Sequence, residues 1–338
     1  MRSLLAWPRM LHTSRSLLTA APTPKPDIQL ISRLRKHVEG VSIQRVKEAL
    51  MATNNDFDEA KSYLTRLMAA DADKRERKGK SATSEGVIAI IERPGLGASM
   101  FELSCETDFV ARTPLFQQLA LRIAQTALFL HTPDPVPRFN TVNVEDVLSL
   151  PILQEPASSE NQGTAPDSQR DVETVAEAIK QRSGHLGERI QLRRGVVVST
   201  NQHAFVAAGV HGFGSMLMTT PPSSTISMKM GVGKMGALAV LGKRSELDVS
   251  DERFQVFAAQ LAQHIIGMKP RDELTLLQQP FLFDQSKTVS DVVAAMSKEQ
   301  QDQASPLLLR SIMRMECGQD EAEDEDAISS SEKTAAVA

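Results

Sequence analysis

The chain has 338 residues, 41% hydrophobic and 24% charged, with a formal net charge of −4. That composition belongs to a globular protein long enough for two or three domains, and its acidic balance argues against a surface that holds nucleic acid through phosphates. No apolar run reaches the ~18 residues of a membrane-crossing helix, and two distant cysteines, Cys105 and Cys317, suit a reducing compartment better than a disulfide framework.

Residues 1–26 carry Arg2, Arg9, Arg15 and Lys25, several Ser and Thr, and no acid. Such a segment reads as a mitochondrial transit peptide, its apolar stretches being too broken for a secretory signal. The whole chain is −4, so without these four cations the remainder carries −8. Residues 27–69 read as three short helices. Ile28, Ile31, Leu34 and Val38 mark the first at spacings of three and four. Ser42 caps a second bearing Ile43, Val46 and Leu50, and the Asn and Asp of "TNNDFDEAKSYL" start a third through Phe57, Ala60, Tyr63, Leu64 and Leu67. The size and rhythm resemble a ubiquitin-associated type of domain.

Residues 70–85 form a charged linker or a solvated helix end. Residues 86–131 open a core subdomain in which "EGVIAIIE" and "MFELSC" are strands joined by a Pro-Gly turn. Thr113 followed by Pro114 is an N-cap with proline at the first helical position. Phe116, Leu119, Ala120, Ile123, Ala127 and Leu130 then make one apolar stripe. Residues 132–169 are a proline-bearing linker with little more than one short helix. A second core subdomain, 170–318, begins with a helix through Val172, Val175, Ala176 and Ile179. There "GVVVST-NQ-HAFVAAGV" reads as a hairpin and "MGALAVLG" as a strand. A helix through Phe254, Phe257, Leu261 and Ile265, a short helix after "SKTVSDVV" and a strand "LLLRSIMRME" complete it. Residues 319–338 are an acidic disordered tail. Helices with antiparallel strand pairs and no βαβ rhythm predict an α+β fold.

No catalytic constellation emerges. The cluster "GVGKMG" lacks the spacing of a phosphate loop, and Met235 stands where Ser or Thr would meet magnesium. His203 and His211 are joined by no carboxylate or cysteine, so neither a metal nor a cofactor is expected. No G-x-S-x-G element is present. The inventory points away from an enzyme and toward an interaction protein.

The segment "SCETDFVAR" after a hairpin resembles the signature of translation elongation factor Ts, the nucleotide-exchange factor of elongation factor Tu. The segments "LRKHVEGVSIQRVKEALMATNNDFDEAKSYL", "GERIQLRR", "MGALAVL", "LAQHIIGMKP" and "QQPFLFDQSKTVSDVV" are similar to that family's other segments, in the same order. The match covers roughly residues 28–315. Two features depart from it: Ile43, Gln44 and Arg45 replace two apolar residues and an acid, and an extra stretch occupies 213–230. "MKPRDELTLLQQPF" leaves no room for the helical hairpin of bacterial members, as in the mitochondrial branch.

The resemblance implies a guanine-nucleotide exchange factor in the mitochondrial matrix that forms a heterodimer with elongation factor Tu, without cofactor, nucleic acid or membrane. It implies that Asp108 and Phe109, flanked by Thr107 and Val110, enter the GTPase near its nucleotide, and that His211 holds another part of the partner. Read locally, Phe109 suits a core position, Asp108 a turn cap and His211 a structural role. Because Thr113 and Pro114 already start the helix, Glu106 to Val110 is expected to be a loop free to project. The three N-terminal helices alone also suit a ubiquitin-binding adaptor.

Overall fold

The computed structural model describes residues 25–38, 41–78, 83–153, 173–213, 218–219, 228–299 and 305–319. Most of the transit segment, the 154–172 stretch, most of the 213–230 insertion and the tail beyond 319 lie outside the described residues. The chain divides into two compact units, Met1–Arg66 and Leu67–Ala338.

The first unit is helical. Helix α1 (Ile28–His37) is capped by Asp27, whose carboxylate accepts from the Gln29 amide at 2.7 Å. Helix α2 (Ile43–Ala52) is capped by Ser42 and helix α3 (Phe57–Lys78) by Asp56, which accepts from the Glu59 amide at 2.8 Å. Leu34, Val46, Ala49, Leu50, Ala60 and Leu64 are fully buried. The expected apolar faces are shorter than their periodicity suggested: Ile28 is 81% exposed and Ile43 is also in solvent. Both open their helices, ahead of the turn that meets the core. The charged run after Leu67 is helical as far as Lys78, because Ala, Lys, Arg and Glu all favour that conformation.

In the second unit, strands β1 (Glu85–Arg93) and β2 (Gly97–Cys105) form the expected hairpin, with Glu85 opposite Cys105 and Arg93 opposite Gly97. Helices α4 (Asp108–Ala111) and α5 (Pro114–Leu130), strand β3 (Phe139–Thr141) and helix α6 (Val144–Leu148) follow. Then come α7 (Val175–Leu186), β4 (Gln191–Ser199), β5 (Ala204–His211), β6 (Met218–Thr219), β7 (Lys229–Gly233) and β8 (Met235–Gly242). The chain continues through α8 (Glu252–Met268), α9 (Glu273–Gln278), β9 (Pro280–Phe281), β10 (Asp284–Thr288), α10 (Val289–Glu299) and β11 (Leu308–Glu316). A six-stranded sheet has the order β3-β4-β2-β1-β7-β6, a three-stranded sheet the order β11-β8-β5, and β9 pairs with β10. Every paired strand is antiparallel, so the unit is α+β as expected.

Alternation explains why the strands read as continuous apolar runs. Val87, Ala89 and Ile91 pack with Phe116, Leu119 and Ile123 of α5, while Ile88 and Ile90 pack with Val206, Leu238 and Val240 of the smaller sheet. On that sheet's far side Ala237, Ala239 and Leu241 meet Phe254, Phe257, Leu261 and Ile265 of α8. Two faces of each central strand are covered, giving helix, sheet, sheet and helix in layers. The expected β4–β5 hairpin does not form. β4 pairs with β2 and β3, and β5 pairs with β8, so the turn after Thr200 carries the chain from one sheet to the other. Leu130 ends α5 and is nearly half exposed, and Ala178 rather than Ala176 faces the core from α7. The "GVGKMG" glycines lie at the end of β7 and the start of β8. Among the described residues no helix is long and apolar enough to cross a membrane.

Candidate partner-binding site

The stretch between β2 and α5 is not an open loop. Thr107 caps a single helical turn, its hydroxyl oxygen accepting from the Val110 amide at 3.4 Å. Thr113 closes the other end: its hydroxyl donates to the Val110 carbonyl at 2.8 Å and accepts from the Phe116 amide at 3.3 Å. Val110 and Ala111 are buried in the same core as Phe116 and Leu119. Successive helical residues point about 100° apart, so burying that pair turns the preceding side chain outward. Phe109 is 80% exposed. Asp108 is half-exposed beside it. Of the four residues singled out in this stretch, Asp108 and Phe109 face solvent, whereas Thr107 and Val110 are used inward.

A residue from far along the chain fixes this turn. Helix α7 ends at Gly187, whose φ of 80° lies in the left-handed region that glycine enters without strain. The next residue, Glu188, receives two hydrogen bonds from Thr107, from the amide at 3.0 Å and from the hydroxyl at 2.5 Å. The Ser183 hydroxyl donates to the Glu188 carbonyl at 2.6 Å, and the Cys105 thiol donates to the Thr107 carbonyl at 3.1 Å. Burial, and then the nearby Glu188 charge, push the Cys105 thiol up to about 12. It is a packed hydrogen-bond donor and not a nucleophile.

His211 ends β5 with its side chain exposed, and its carbonyl accepts from the Lys234 amide at 2.7 Å. Gly212 and Phe213 follow with φ of 107° and 55°. An aromatic residue in the left-handed region is strained, by roughly 1–2 kcal/mol. Two cations lie over its ring, the Arg112 guanidinium 4.8 Å and the Lys234 ammonium 5.1 Å from the centroid. Arg112 also pairs with Asp108 at 3.5 Å, one helical turn away, and Lys234 pairs with Glu85. The acid of α4 and the turn after His211 are thereby joined through Arg112 and Phe213.

Arg193 and Arg194 of the "GERIQLRR" segment do structural work. Arg194 bonds the buried Glu102 carboxylate at 2.7 Å and the Glu316 carbonyl at 2.9 Å, Arg193 reaches Glu102 at 3.5 Å, and the Gly318 amide donates to it at 2.9 Å. Among the described residues no group of three or more His, Cys, Asp or Glu is placed to hold a metal. Sequence reasoning missed Glu188, Arg112, Phe213 and Lys234. The first lies 81 residues from Thr107, and only its place in the quoted "GERIQLRR" hinted at a role.

The family described as elongation factor TS matches residues 106–272, from the residue before Thr107 to the N-cap of α9. The mitochondrial elongation factor Ts of Coprinopsis cinerea is 33% identical over 310 residues, covering 84% of this chain and 87% of that protein. The chain belongs to the elongation factor Ts family. The mitochondrial factor of Laccaria bicolor is 32% identical over 78% of this chain and 80% of its own length, and that of Xenopus laevis 30% identical over 92% and 91%. The family match encloses α4, Glu188 and His211, so the projecting turn and its brace lie within the matched residues.

Proposed function

We propose that this protein is the guanine-nucleotide exchange factor of mitochondrial elongation factor Tu and accelerates GDP release during translation elongation. Family membership supports the activity, and the naming of its relatives as mitochondrial supports a place in the matrix, where a heterodimer with the GTPase forms. The observation that carries the mechanism is Phe109, a large apolar side chain held almost wholly in water by a turn anchored at both ends.

On docking, Phe109 wedges between elements of the GTPase, and burying its face is worth about 2 kcal/mol. Asp108 arrives with it. Its exposed pair with Arg112 is worth at most about 1 kcal/mol, so the carboxylate is free to leave it beside the nucleotide's magnesium. That ion holds near-ideal octahedral geometry, and a small displacement or an added negative charge loosens its grip on the diphosphate. Factor and GDP then oppose each other, and by linkage the opposition is reciprocal. No bond is made or broken, so the factor acts without a catalytic acid, base, metal or cofactor of its own. His211 supports a second contact, carried on the turn that Arg112 ties to α4. The three capped helices of the first unit serve as a ubiquitin-associated-like docking module.

The test is stopped-flow release of a fluorescent GDP analogue from mitochondrial elongation factor Tu. Wild type is expected to accelerate release, and Phe109→Ala to lose most of that acceleration while keeping its thermal midpoint. A folded Phe109→Ala variant as effective as wild type would overturn the wedge.

A further inference from the structure

We propose that Glu188 is a positioning residue for exchange: it sets the direction in which Phe109 leaves the surface. The inference deepens the exchange reading and rests on it for its kinetic arm. The argument starts from where the carboxylate is anchored. Its backbone is fixed on one side by Gly187 and the Ser183 hydroxyl, and on the other by Ile190, which is buried in the core beside α5. A side chain leaving so fixed a point has little freedom, and both its oxygens are spent on Thr107. Thr107 is the cap of α4, and its hydroxyl both donates to Glu188 and accepts from the Val110 amide. Position therefore passes from α7 through Glu188 and Thr107 into the one turn that carries Phe109.

A four-residue helix does not hold its own shape, because one turn contributes too few bonds to offset nucleation. Val110 and Ala111 hold the turn down, but they leave its N-terminal end, where Asp108 and Phe109 sit, to the cap. Without the carboxylate, the Thr107 amide and hydroxyl lose charge-assisted bonds, and the hydroxyl is released to rotate away from Val110. The turn then frays from the end that bears the wedge. Nothing else in the sequence or the family comparison assigns this task to Glu188.

Three full-length variants test the idea in the GDP-release assay: Glu188→Ala, Glu188→Gln, and Glu188→Ala combined with Phe109→Ala. Glu188→Ala is expected to slow stimulated release about tenfold, the scale of one charge-assisted hydrogen bond. Glu188→Gln retains an oxygen for the Thr107 amide and is expected to restore release to within about threefold of wild type. In the Phe109→Ala background, removing Glu188 is expected to cost less than about twofold, since the residue it positions is gone. Wild-type rates for Glu188→Ala, or an equal loss in both backgrounds, would overturn the proposal.

A second measurement needs no partner. With Phe109→4-fluorophenylalanine in the free protein, the fluorine resonance is expected to move and broaden on Glu188→Ala, while a fluorine label at buried Phe254 stays put. An unmoved resonance at 109 overturns the positioning role. If wild type itself fails to release GDP, the exchange reading falls and this spectrum still decides the role of Glu188.

Discussion

Leu238 and Phe109 are both large apolar side chains, and they stand at opposite extremes of this molecule. Leu238 is sealed between the two sheets among Ile88, Ile90 and Val240, whereas Phe109 projects from a single turn into water. The first is surrounded by side chains from strands distant in sequence. The second is held by its backbone alone, through Thr107, Glu188 and Thr113. Apolar area between the sheets stabilises this chain. Apolar area on α4 is withheld from the fold and left for a partner.

Substitutions should separate the two roles, and the largest effect belongs to the core. Leu238→Ala is expected to destabilise the second unit by about 2–5 kcal/mol, read as a lower urea midpoint, with exchange intact while the protein stays folded. A change below about 1 kcal/mol would mean that the inter-sheet core tolerates loss in a way its burial denies.

Next comes a buried charge. Glu92 of β1 lies opposite Lys229 of β7, and their side chains approach to 3.7 Å. Lys229 also bonds Gln255 of α8 and lies over the Phe205 ring. Burial raises the Glu92 carboxyl from 4.5 to about 7, with Lys229 opposing. A folded-state value above the unfolded one means that the folded protein binds the proton more tightly. The stabilisation is complete below pH 4.5 and is lost as pH rises through about 7. Glu92→Gln should abolish that decline, changing the difference between pH 5 and pH 8 by up to about 3 kcal/mol. Parallel stability profiles for wild type and variant would show that Glu92 does not titrate there.

On the exposed side, Phe109→Ala should leave the urea midpoint unmoved while GDP release slows by at least about tenfold, the scale of losing one buried aromatic face. The smallest effect is expected at the turn after His211. Phe213→Leu removes the ring over which Arg112 and Lys234 lie. A cation–π contact is worth about 0.5–1 kcal/mol, so exchange should fall about two- to fivefold, while leucine keeps the half-buried side chain packed against the core. A loss as deep as that of Phe109→Ala would make the turn an equal partner to α4.

Much of this was legible in the residues. The continuous apolar run of "EGVIAIIE", the Thr113-Pro114 start of α5 and the stripe through Phe254, Phe257, Leu261 and Ile265 are all local signals that tertiary structure preserved. The β4–β5 pairing misled because both strands are apolar on two faces, so adjacency in sequence suggested a hairpin where the chain changes sheets. Ile28 and Leu130 obeyed the helical period but fell at helix ends, beyond the packed face. For the site, the resemblance carried by "SCETDFVAR" singled out Asp108 and Phe109, while the residues read locally left a core position open. The order of this stretch was hidden, since the cap at Thr107 is completed by Glu188 from another element. The Arg112–Phe213–Lys234 stack was equally invisible, because it depends on an aromatic residue adopting a left-handed backbone.

The central claim is that Phe109 enters the GTPase in competition with GDP. Phe109→p-benzoylphenylalanine, irradiated with mitochondrial elongation factor Tu, tests it directly. The expected result is a crosslink between position 109 and the GTPase that fades as GDP is added. A complex that forms without a crosslink from position 109, or a crosslink indifferent to GDP, would contradict it.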